Sequence, residues 1–281
     1  MKALLINYEF PPLGGGTAIA NYYLLKEFSK YKDLKLDLLT SAANNYCEQK
    51  LNSNIRIIRF DIGKNNLQLH HQNLQTIFSY FIQSTIWTLR HKNNYDLIHA
   101  FSGLPGCITA WLSGKPYLVS FRGAEEPGYE PRYDWLLKLI KPLLKIFYGQ
   151  AKYLDANSLY LKNLVLKSWP DLKIQVINNG IDATKFFPAK KIVRQPIILC
   201  TSRLAARKGV EYLIKAMALI PKGKLWLVGV GKLESAMKIL VKQLHLSKKV
   251  KFLGMIQHDR LPPIYRRSKL FVLPSLSESQ S

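Results

Sequence analysis

Two basic side chains, Arg203 and Lys208, bracket a turn that follows a predicted strand and precedes a helical pattern near Val210. Fixed cations beside the start of a helix suit a diphosphate leaving group, because they neutralise the charge that develops as the group departs. The alternative is a solvated basic turn without a ligand. Arg203 and Lys208 are therefore candidates for diphosphate binding.

A second candidate for phosphate binding lies near the start of the chain. Gly14, Gly15 and Gly16 stand between a first predicted strand and a helical pattern that begins at Thr17. Backbone N–H groups and the positive end of a helix dipole attract phosphate at such a turn. The spacing does not match the G-x-G-x-x-G fingerprint of dinucleotide-binding folds, and a flexible turn is the alternative.

Other site chemistries lack their residue spacing in this chain. There is no P-loop, H-E-x-x-H, C-x-x-C or G-x-S-x-G motif, and no D-x-D pair that would hold Mg²⁺ or Mn²⁺. The six histidines show no metal-ligand spacing. We therefore predict no metal site and no cofactor. Cys47, Cys107 and Cys200 are odd in number and widely spaced, which favours a reducing compartment.

The charge favours anionic partners. The chain has 41 Lys and Arg against 18 Asp and Glu, a net charge of +23 in 281 residues. Phosphate-bearing ligands, lipid headgroups and nucleic acid would all suit this excess. No recognised nucleic-acid-binding motif is present, so we predict no specific nucleic-acid partner.

One segment could contact an anionic membrane surface. Trp135 to Tyr148 reads as an amphipathic helix with Lys138, Lys141 and Lys145 on one face. The alternative is a helix that covers a sheet while its lysines reach solvent. No apolar stretch reaches 18 residues and no signal-peptide pattern is present, so we predict a cytoplasmic protein, with peripheral contact at the inner face of the plasma membrane as the extension of that prediction.

Short apolar runs alternate with longer helical patterns such as Leu74 to Arg90, which predicts an α/β fold with parallel sheets. Turn-forming and charged residues place a linker at 181–196. These patterns predict two α/β units, at 1–180 and at 197–281. The second contains about four strand patterns, so we expect it to be incomplete.

Taken together, the motifs resemble those of family 4 glycosyltransferases, which have the two-domain architecture called GT-B. The stretches that carry the resemblance follow the family order along the chain: Pro11-Pro12-x-Gly14-Gly15-Gly16, Asp96-Leu97-Ile98-His99, Ser120-Phe121-Arg122-Gly123, Val176 to Asp182, Ser202-Arg203-Leu204 with Lys208-Gly209, Val228-Gly229-x-Gly231, Phe252-Leu253-Gly254, and Phe271 to Ser275 with Glu278.

The resemblance implies two Rossmann-like domains, an acceptor domain at 1–180 and a partial nucleotide-sugar domain at 197–281. It also implies a nucleotide-sugar donor, a glycan or lipid-linked acceptor, and metal-independent transfer with retention of configuration. It gives Arg203, Lys208 and Glu278 catalytic roles at the donor diphosphate and sugar. It also implies donor contacts or acceptor contacts for further residues: Gly15 and Gly16 at the phosphates, Met255 and Ile256 at the base, and Glu9 and Arg122 at the acceptor or sugar.

Two departures from the family pattern bear on activity. Arg122 stands where many members carry a histidine near the donor sugar. Glu278 matches the first glutamate of the family's E-x-x-x-x-x-x-x-E motif, and three residues follow it. We therefore expect a truncated chain with little or no turnover. The alternative is a non-catalytic fragment or degenerate paralogue that binds sugar nucleotides.

Overall fold

The protein is described by a computed structural model that covers residues 1–64, 73–123, 134–188 and 192–279. The chain divides into two compact units, Met1–Asn179 and Gly180–Ser279. Each unit has its own sheet with helices packed on it, so the predicted α/β class is confirmed. Residues 189–191 of the predicted linker and the last two residues lie outside the described part of the chain.

The first unit contains an eight-stranded sheet with the order β3-β4-β2-β1-β5-β6-β7-β8. Its strands are β1 (Lys2–Ile6), β2 (Lys35–Ser41), β3 (Cys47–Lys50), β4 (Ile55–Phe60), β5 (Leu97–Ala100), β6 (Tyr117–Phe121), β7 (Tyr153–Ala156) and β8 (Ile174–Val176). Neighbouring strands are parallel except that β3 runs antiparallel to β4. The sequence did not predict β3, because all four of its side chains are exposed and leave no apolar pattern.

Helices cover both faces of this sheet. They are α1 (Gly16–Phe28), α2 (Leu74–His91), α3 (Gly103–Leu112), α4 (Asp134–Gly149) and α5 (Leu159–Ser168). Successive residues of a strand point to opposite faces, so Leu4 and Ile6 join the core beneath α2 to α5, whereas Leu5 joins Leu25 of α1 on the other face. Burial on both faces explains why these strands read as continuous apolar runs.

The second unit has a short, all-parallel sheet with the order β11-β10-β9-β12. Its elements are β9 (Gln195–Thr201), α6 (Val210–Ala216), β10 (Lys224–Val228), α7 (Glu234–Gln243), β11 (Val250–Phe252), α8 (Pro262–Arg267) and β12 (Ser268–Phe271). The core includes Ile214, Leu225, Leu227, Met237 and Val241. None of the helices that the structure describes, in either unit, has the length and apolar character needed to cross a membrane.

A buried carboxylate joins three strands and the start of β5 in the first unit. Asp37 on β2 is 5% exposed and accepts hydrogen bonds from Arg56 Nε at 3.1 Å and Nη2 at 2.8 Å. The Tyr95 hydroxyl also donates to it, and Lys2 Nζ lies 3.6 Å away. Burial by itself would raise the pKa of Asp37, but the hydrogen bonds from Arg56 and Tyr95 and the charges of Arg56 and Lys2 bring it below its usual value.

We expect Asp37→Asn to lower the free energy of unfolding of the first unit by about 1–3 kcal/mol at pH 7, because it removes the buried carboxylate that pairs with Arg56 and Lys2 and leaves Arg56 with only the more exposed Glu48 among its described ionic partners. A carboxylate whose pKa is depressed by folding stabilises the protein above its usual pKa and loses that contribution as the pH falls through the folded pKa. Denaturant unfolding below about pH 5 should therefore show a smaller pH dependence in the variant.

Glu27→Gln provides the control, since the exposed Glu27–Lys30 pair should contribute less than about 1 kcal/mol. Equal losses for Asp37→Asn and Glu27→Gln would contradict the role given to Asp37.

Candidate functional site

The candidate residues of both units lie after the carboxyl ends of parallel strands. Loops that follow parallel strands gather at one edge of a sheet, and open α/β sheets bind ligands at that edge. The first unit contributes Glu9, Gly15 and Gly16 after β1 and Arg122 after β6. The second contributes Arg203 and Lys208 after β9, Met255 and Ile256 after β11, and Glu278 after β12.

In the second unit, the loops after β9 and β12 are held together by backbone and side-chain contacts. The Leu276 N–H donates to the Arg207 carbonyl at 2.9 Å, and Arg207 Nη1 donates to the Ser277 carbonyl at 3.1 Å. Lys208 Nζ forms an ion pair with Glu278 Oε1, and both side chains are largely buried. The structure therefore brings Lys208 and Glu278, which the sequence separates by 70 residues, into direct contact.

Gly209 makes this contact sterically feasible. Its φ of 59° lies in the left-handed region, and a Cβ at this position would lie 2.2 Å from the Pro274 carbonyl oxygen. No real Cβ tolerates that approach to a backbone atom, so only glycine fits between the two loops. The close packing fixes the loop that carries Glu278 against the loop that carries Lys208.

Further contacts join the turn at Arg203 to the turn that carries Met255 and Ile256. The Gly229 N–H donates to the Gly254 carbonyl at 2.8 Å, and a Cβ at Gly229 would lie 2.1 Å from the Ser202 carbonyl oxygen. The turns after β9, β10 and β11 are thus in contact. Arg203 is exposed, Met255 is 60% exposed and Ile256 is partly exposed, so all three can meet a ligand.

The groups around Lys208 act on its pKa in opposite directions. Burial lowers the pKa of Lys208, the hydrogen bond and charge of Glu278 act in the opposite direction, and the charges of Arg207 and Arg203 lower it further. The net direction is downward. A bound anion would stabilise the ammonium form, and it would compete with Glu278 for that ammonium.

In the first unit, Glu9 turns back onto the glycine-rich turn. The Gly15 N–H donates to Glu9 Oε2 at 3.2 Å, so one of the donors predicted to approach phosphate is engaged by a carboxylate. Gly16 begins α1, and the space around its Cβ position is open. Lys64, which no motif indicated, is 6% exposed; burial lowers its pKa, while the charge of Glu9 opposes the shift. Arg59 also lies beside this turn, since its Nη2 donates to the Pro11 carbonyl at 2.8 Å.

Arg122 lies in a different set of contacts at the ends of β6 and β7. Its Nη2 lies 3.1 Å from Asp155 Oδ2, and its Nη1 donates to Asn179 Oδ1 at 3.2 Å. The guanidinium carbon sits 4.5 Å from the centre of the Phe101 ring, a cation–π arrangement. The Arg122 side chain is 8% exposed. These contacts fix the position of the guanidinium.

A chain of hydrogen bonds extends from Asp155 to His99. Ser120 Oγ donates to Asp155 Oδ1 at 2.5 Å and lies 2.7 Å from His99 Nε2. Because the Ser120 hydroxyl has one proton and gives it to Asp155, His99 donates its Nε2–H to Ser120. Burial and the charge of Arg122 lower the pKa of His99 to about 3. Burial raises the pKa of Asp155, and Arg122 and Ser120 counteract that rise.

Sequence reasoning did not identify this network as a unit. His99 and Ser120 lie inside stretches that carry the family resemblance, and those motifs were the only feature of the sequence that pointed to them. Asp155 lies in the short strand β7 and matched no motif. Its role depends on the pairing of β6 with β7, which places Ser120 opposite Asp155.

Two Rossmann-like units, each with candidate binding loops at the carboxyl ends of its parallel strands, define the GT-B fold class. The family model for Glycosyltransferase Family 4 matches residues 14–185, and the model for glycosyl transferases group 1 matches residues 182–280. The chain belongs to glycosyltransferase family 4. The predicted family and fold class are confirmed.

Curated relatives share part of their length with this chain. An uncharacterized glycosyltransferase of Methanocaldococcus jannaschii is 34% identical over 207 residues, which is 66% of this chain and 53% of the relative. An Escherichia coli UDP-Gal:alpha-D-GlcNAc-diphosphoundecaprenol alpha-1,3-galactosyltransferase is 28% identical over 225 residues, 69% of this chain and 55% of the relative. The chain spans about half the length of these relatives.

Solved structures show the same fold. Sucrose-phosphate synthase from Thermosynechococcus elongatus aligns with a TM-score of 0.83 and 21% identity, over 100% of this chain and 77% of the other. Anabaena HepE in complex with UDP-glucose aligns with a TM-score of 0.72 and 18% identity, over 99% of this chain and 74% of the other.

We expect Gly209→Ala to destabilise the second unit more than Gly254→Ala. Both glycines have similar left-handed φ values of 59° and 67°, so alanine costs about 1–2 kcal/mol at either position. Only at Gly209 does the new Cβ also strike a backbone carbonyl, which should add about 1–3 kcal/mol. Urea unfolding of the two variants measures the difference, and equal losses would show that the loops can separate without cost.

His99 should remain neutral far below its usual pKa of 6.5. A histidine whose pKa is lowered by folding makes the folded state bind fewer protons, so its contribution to stability rises with pH between about 3 and 6.5. NMR titration should show the His99 ring in its neutral form at pH 5, with His99→Gln assigning the signal. A midpoint near 6.5 would contradict the buried hydrogen-bonded geometry.

Proposed function

We propose that this chain binds a nucleotide-sugar donor and transfers its sugar to a surface-glycan or lipid-linked acceptor, with retention of configuration and without a metal ion. The contact between Lys208 and Glu278 at the carboxyl edge of the second sheet carries the proposal. It sets a cation suited to phosphate beside a carboxylate suited to sugar hydroxyl groups. Peripheral attachment at the inner face of the plasma membrane belongs to the same proposal.

In this proposal, the second unit holds the donor. Arg203 is exposed and Lys208 is positioned by its neighbours, so both can bind the diphosphate and stabilise its departure. Glu278 would accept hydrogen bonds from the sugar. Met255 and Ile256 offer partly exposed apolar surface for the base. Gly16, and Gly15 after release from Glu9, would approach the donor phosphates.

The chemical step needs two charge movements. The bond between the anomeric carbon and the diphosphate oxygen breaks, and the negative charge gained by the diphosphate is stabilised by Arg203 and Lys208. The acceptor hydroxyl oxygen bonds to the anomeric carbon on the face that the diphosphate leaves, and its proton passes to a phosphate oxygen. Glu9 and Arg122 are the proposed contacts to acceptor or sugar.

The comparisons support this proposal at different levels. Family membership supports glycosyl transfer. The solved HepE complex contains UDP-glucose, which supports a nucleotide-sugar donor. The Escherichia coli relative is named for a diphosphoundecaprenol-linked substrate, which supports a lipid-linked acceptor.

A second candidate function is donor binding without transfer. The ion pair between Lys208 and Glu278 favours it, because a carboxylate that holds the phosphate-binding ammonium opposes release of that ammonium to the leaving group. The two candidates predict the same binding and differ in product formation.

We expect Arg203→Ala and Lys208→Ala each to weaken binding of UDP- or GDP-sugars by roughly 10- to 100-fold in titration calorimetry, because each removes a charge-assisted hydrogen bond. Arg194→Ala and Lys222→Ala are matched controls, since both side chains are exposed and lie away from the strand ends that carry the site. Glu278→Gln should lower transfer more than donor affinity.

Product analysis with the unaltered chain then separates the candidates. Binding followed by sugar transfer establishes the transferase, and binding without transfer or donor hydrolysis establishes the second candidate. A folded chain that binds no sugar nucleotide, or whose binding is equally weakened by the control substitutions, would exclude both.

A further inference from the structure

An ordinary surface helix buries its apolar face and exposes its polar face, but helix α2 exposes an apolar stripe and buries a face rich in hydroxyl groups. The buried face contains Thr76, Tyr80, Ser84 and Thr88. The predicted helix is confirmed, but most of the apolar repeat that predicted it faces outward. Four apolar side chains spaced three or four residues apart are between 41% and 61% exposed: Phe78, Ile82, Ile86 and Leu89. Such a stripe lies along one side of a helix.

Helix α4 presents a second exposed apolar stripe on the same face of the sheet. Trp135, Leu139, Leu143 and Ile146 are between 45% and 72% exposed and follow the same spacing. The buried face of α4 is apolar, with Leu137 and Leu144 in the core. This helix is therefore apolar both inward and outward, which packing on the sheet does not require.

Helix α3 connects the two stripes. Thr85 of α2 and Thr109 of α3 share a hydrogen bond of 2.7 Å, and the rings of Trp111 of α3 and Phe147 of α4 lie 5.0 Å apart. Leu112 at the end of α3 is 41% exposed. The three helices thus form one surface, here called the α2–α4 surface, with apolar side chains outward on each helix. Exposed apolar areas of this kind mark interaction sites.

The charged side chains that the structure describes on helices α2, α3 and α4 are basic. A row of three lysines runs beside the apolar stripe of α4 at positions 138, 141 and 145, and Arg90 lies in the last turn of α2. The lysines line an open pocket against Ser168 and Trp169. The three helices contain one acidic residue in sequence, Asp134, whose side chain lies outside the described residues. Asp171, beyond α5, pairs with Lys145 across 3.5 Å.

We propose that the α2–α4 surface docks on a bilayer of anionic phospholipid. A bilayer interface offers acyl chains for the apolar stripes and headgroup phosphates for the adjacent lysines in one plane, which matches the arrangement of apolar and basic groups. The helices lie on the bilayer and do not span it. The inference deepens the proposed function, since a lipid-linked acceptor is met at a membrane, but its test requires neither donor nor acceptor.

The test is sedimentation of the 281-residue chain with vesicles of phosphatidylcholine alone or with 30% phosphatidylglycerol. We expect binding to the anionic vesicles, weakened by salt. The triple variant K138A/K141A/K145A should bind roughly 100-fold more weakly, since each lysine near an anionic surface contributes about fivefold. The double variant F78S/I82S should lose roughly tenfold through reduced apolar insertion.

Matched variants in the second unit separate the surface from the net charge. K222A/K242A/K248A removes the same charge from exposed positions, and L219S/I239S removes exposed apolar side chains; both should bind as the unaltered chain does. Circular dichroism confirms that each variant is folded. Equal loss in the two lysine variants would reduce the effect to net charge and overturn the proposal.

Two other outcomes would also overturn it. One is the absence of binding to anionic vesicles by the folded chain. The other is self-association in solution that F78S/I82S abolishes while vesicle binding is unchanged, which would identify a second copy of the chain as the occupant of this surface. Sugar-nucleotide affinity measured on the same samples shows whether the proposed function fails independently.

Discussion

The close packing of the loops after β9 and β12 is the constraint on which the candidate donor site depends. Gly209 lets the Pro274 carbonyl approach to a distance that no side chain permits, and this approach sets Lys208 against Glu278. The Leu276 N–H donates to the Arg207 carbonyl, and the Arg207 side chain donates to the Ser277 carbonyl, so the same two loops are joined twice more. Burial of the ion pair costs solvation, so the geometry must be maintained by the surrounding backbone.

In the first unit, a network of buried polar side chains holds Arg122 in place at the end of β6. Arg122 contacts the Asp155 carboxylate, the Asn179 amide oxygen and the Phe101 ring. Asp155 also accepts a hydrogen bond from Ser120, which in turn accepts one from His99. Buried charges require such partners, because the low-dielectric interior penalises every unpaired one. The structure therefore surrounds Arg122 with partners suited to a guanidinium.

In helix α2, the apolar periodicity of the sequence predicts the helix correctly but does not predict which face of it is buried. The apolar repeat at Phe78, Ile82 and Leu89 predicts a helix, and the helix forms, because periodicity determines which side chains share a face. Periodicity does not determine which face meets the sheet. Tyr80 fills the core position with a large ring and satisfies its hydroxyl on the Leu39 carbonyl, so the less apolar face is buried. The apolar stripe remains outside.

The sequence by itself determined the α/β class, the family, and the turns at Gly15, Arg203 and Lys208, because strand runs, helical periods and turn residues are local properties. Only the tertiary structure decided that Lys208 meets Glu278 and that Asp155 supports Arg122. These contacts join residues on different strands, and the order of strands in a parallel sheet follows from packing of the whole unit. The separation of two residues along the chain does not reveal the order of the strands that carry them.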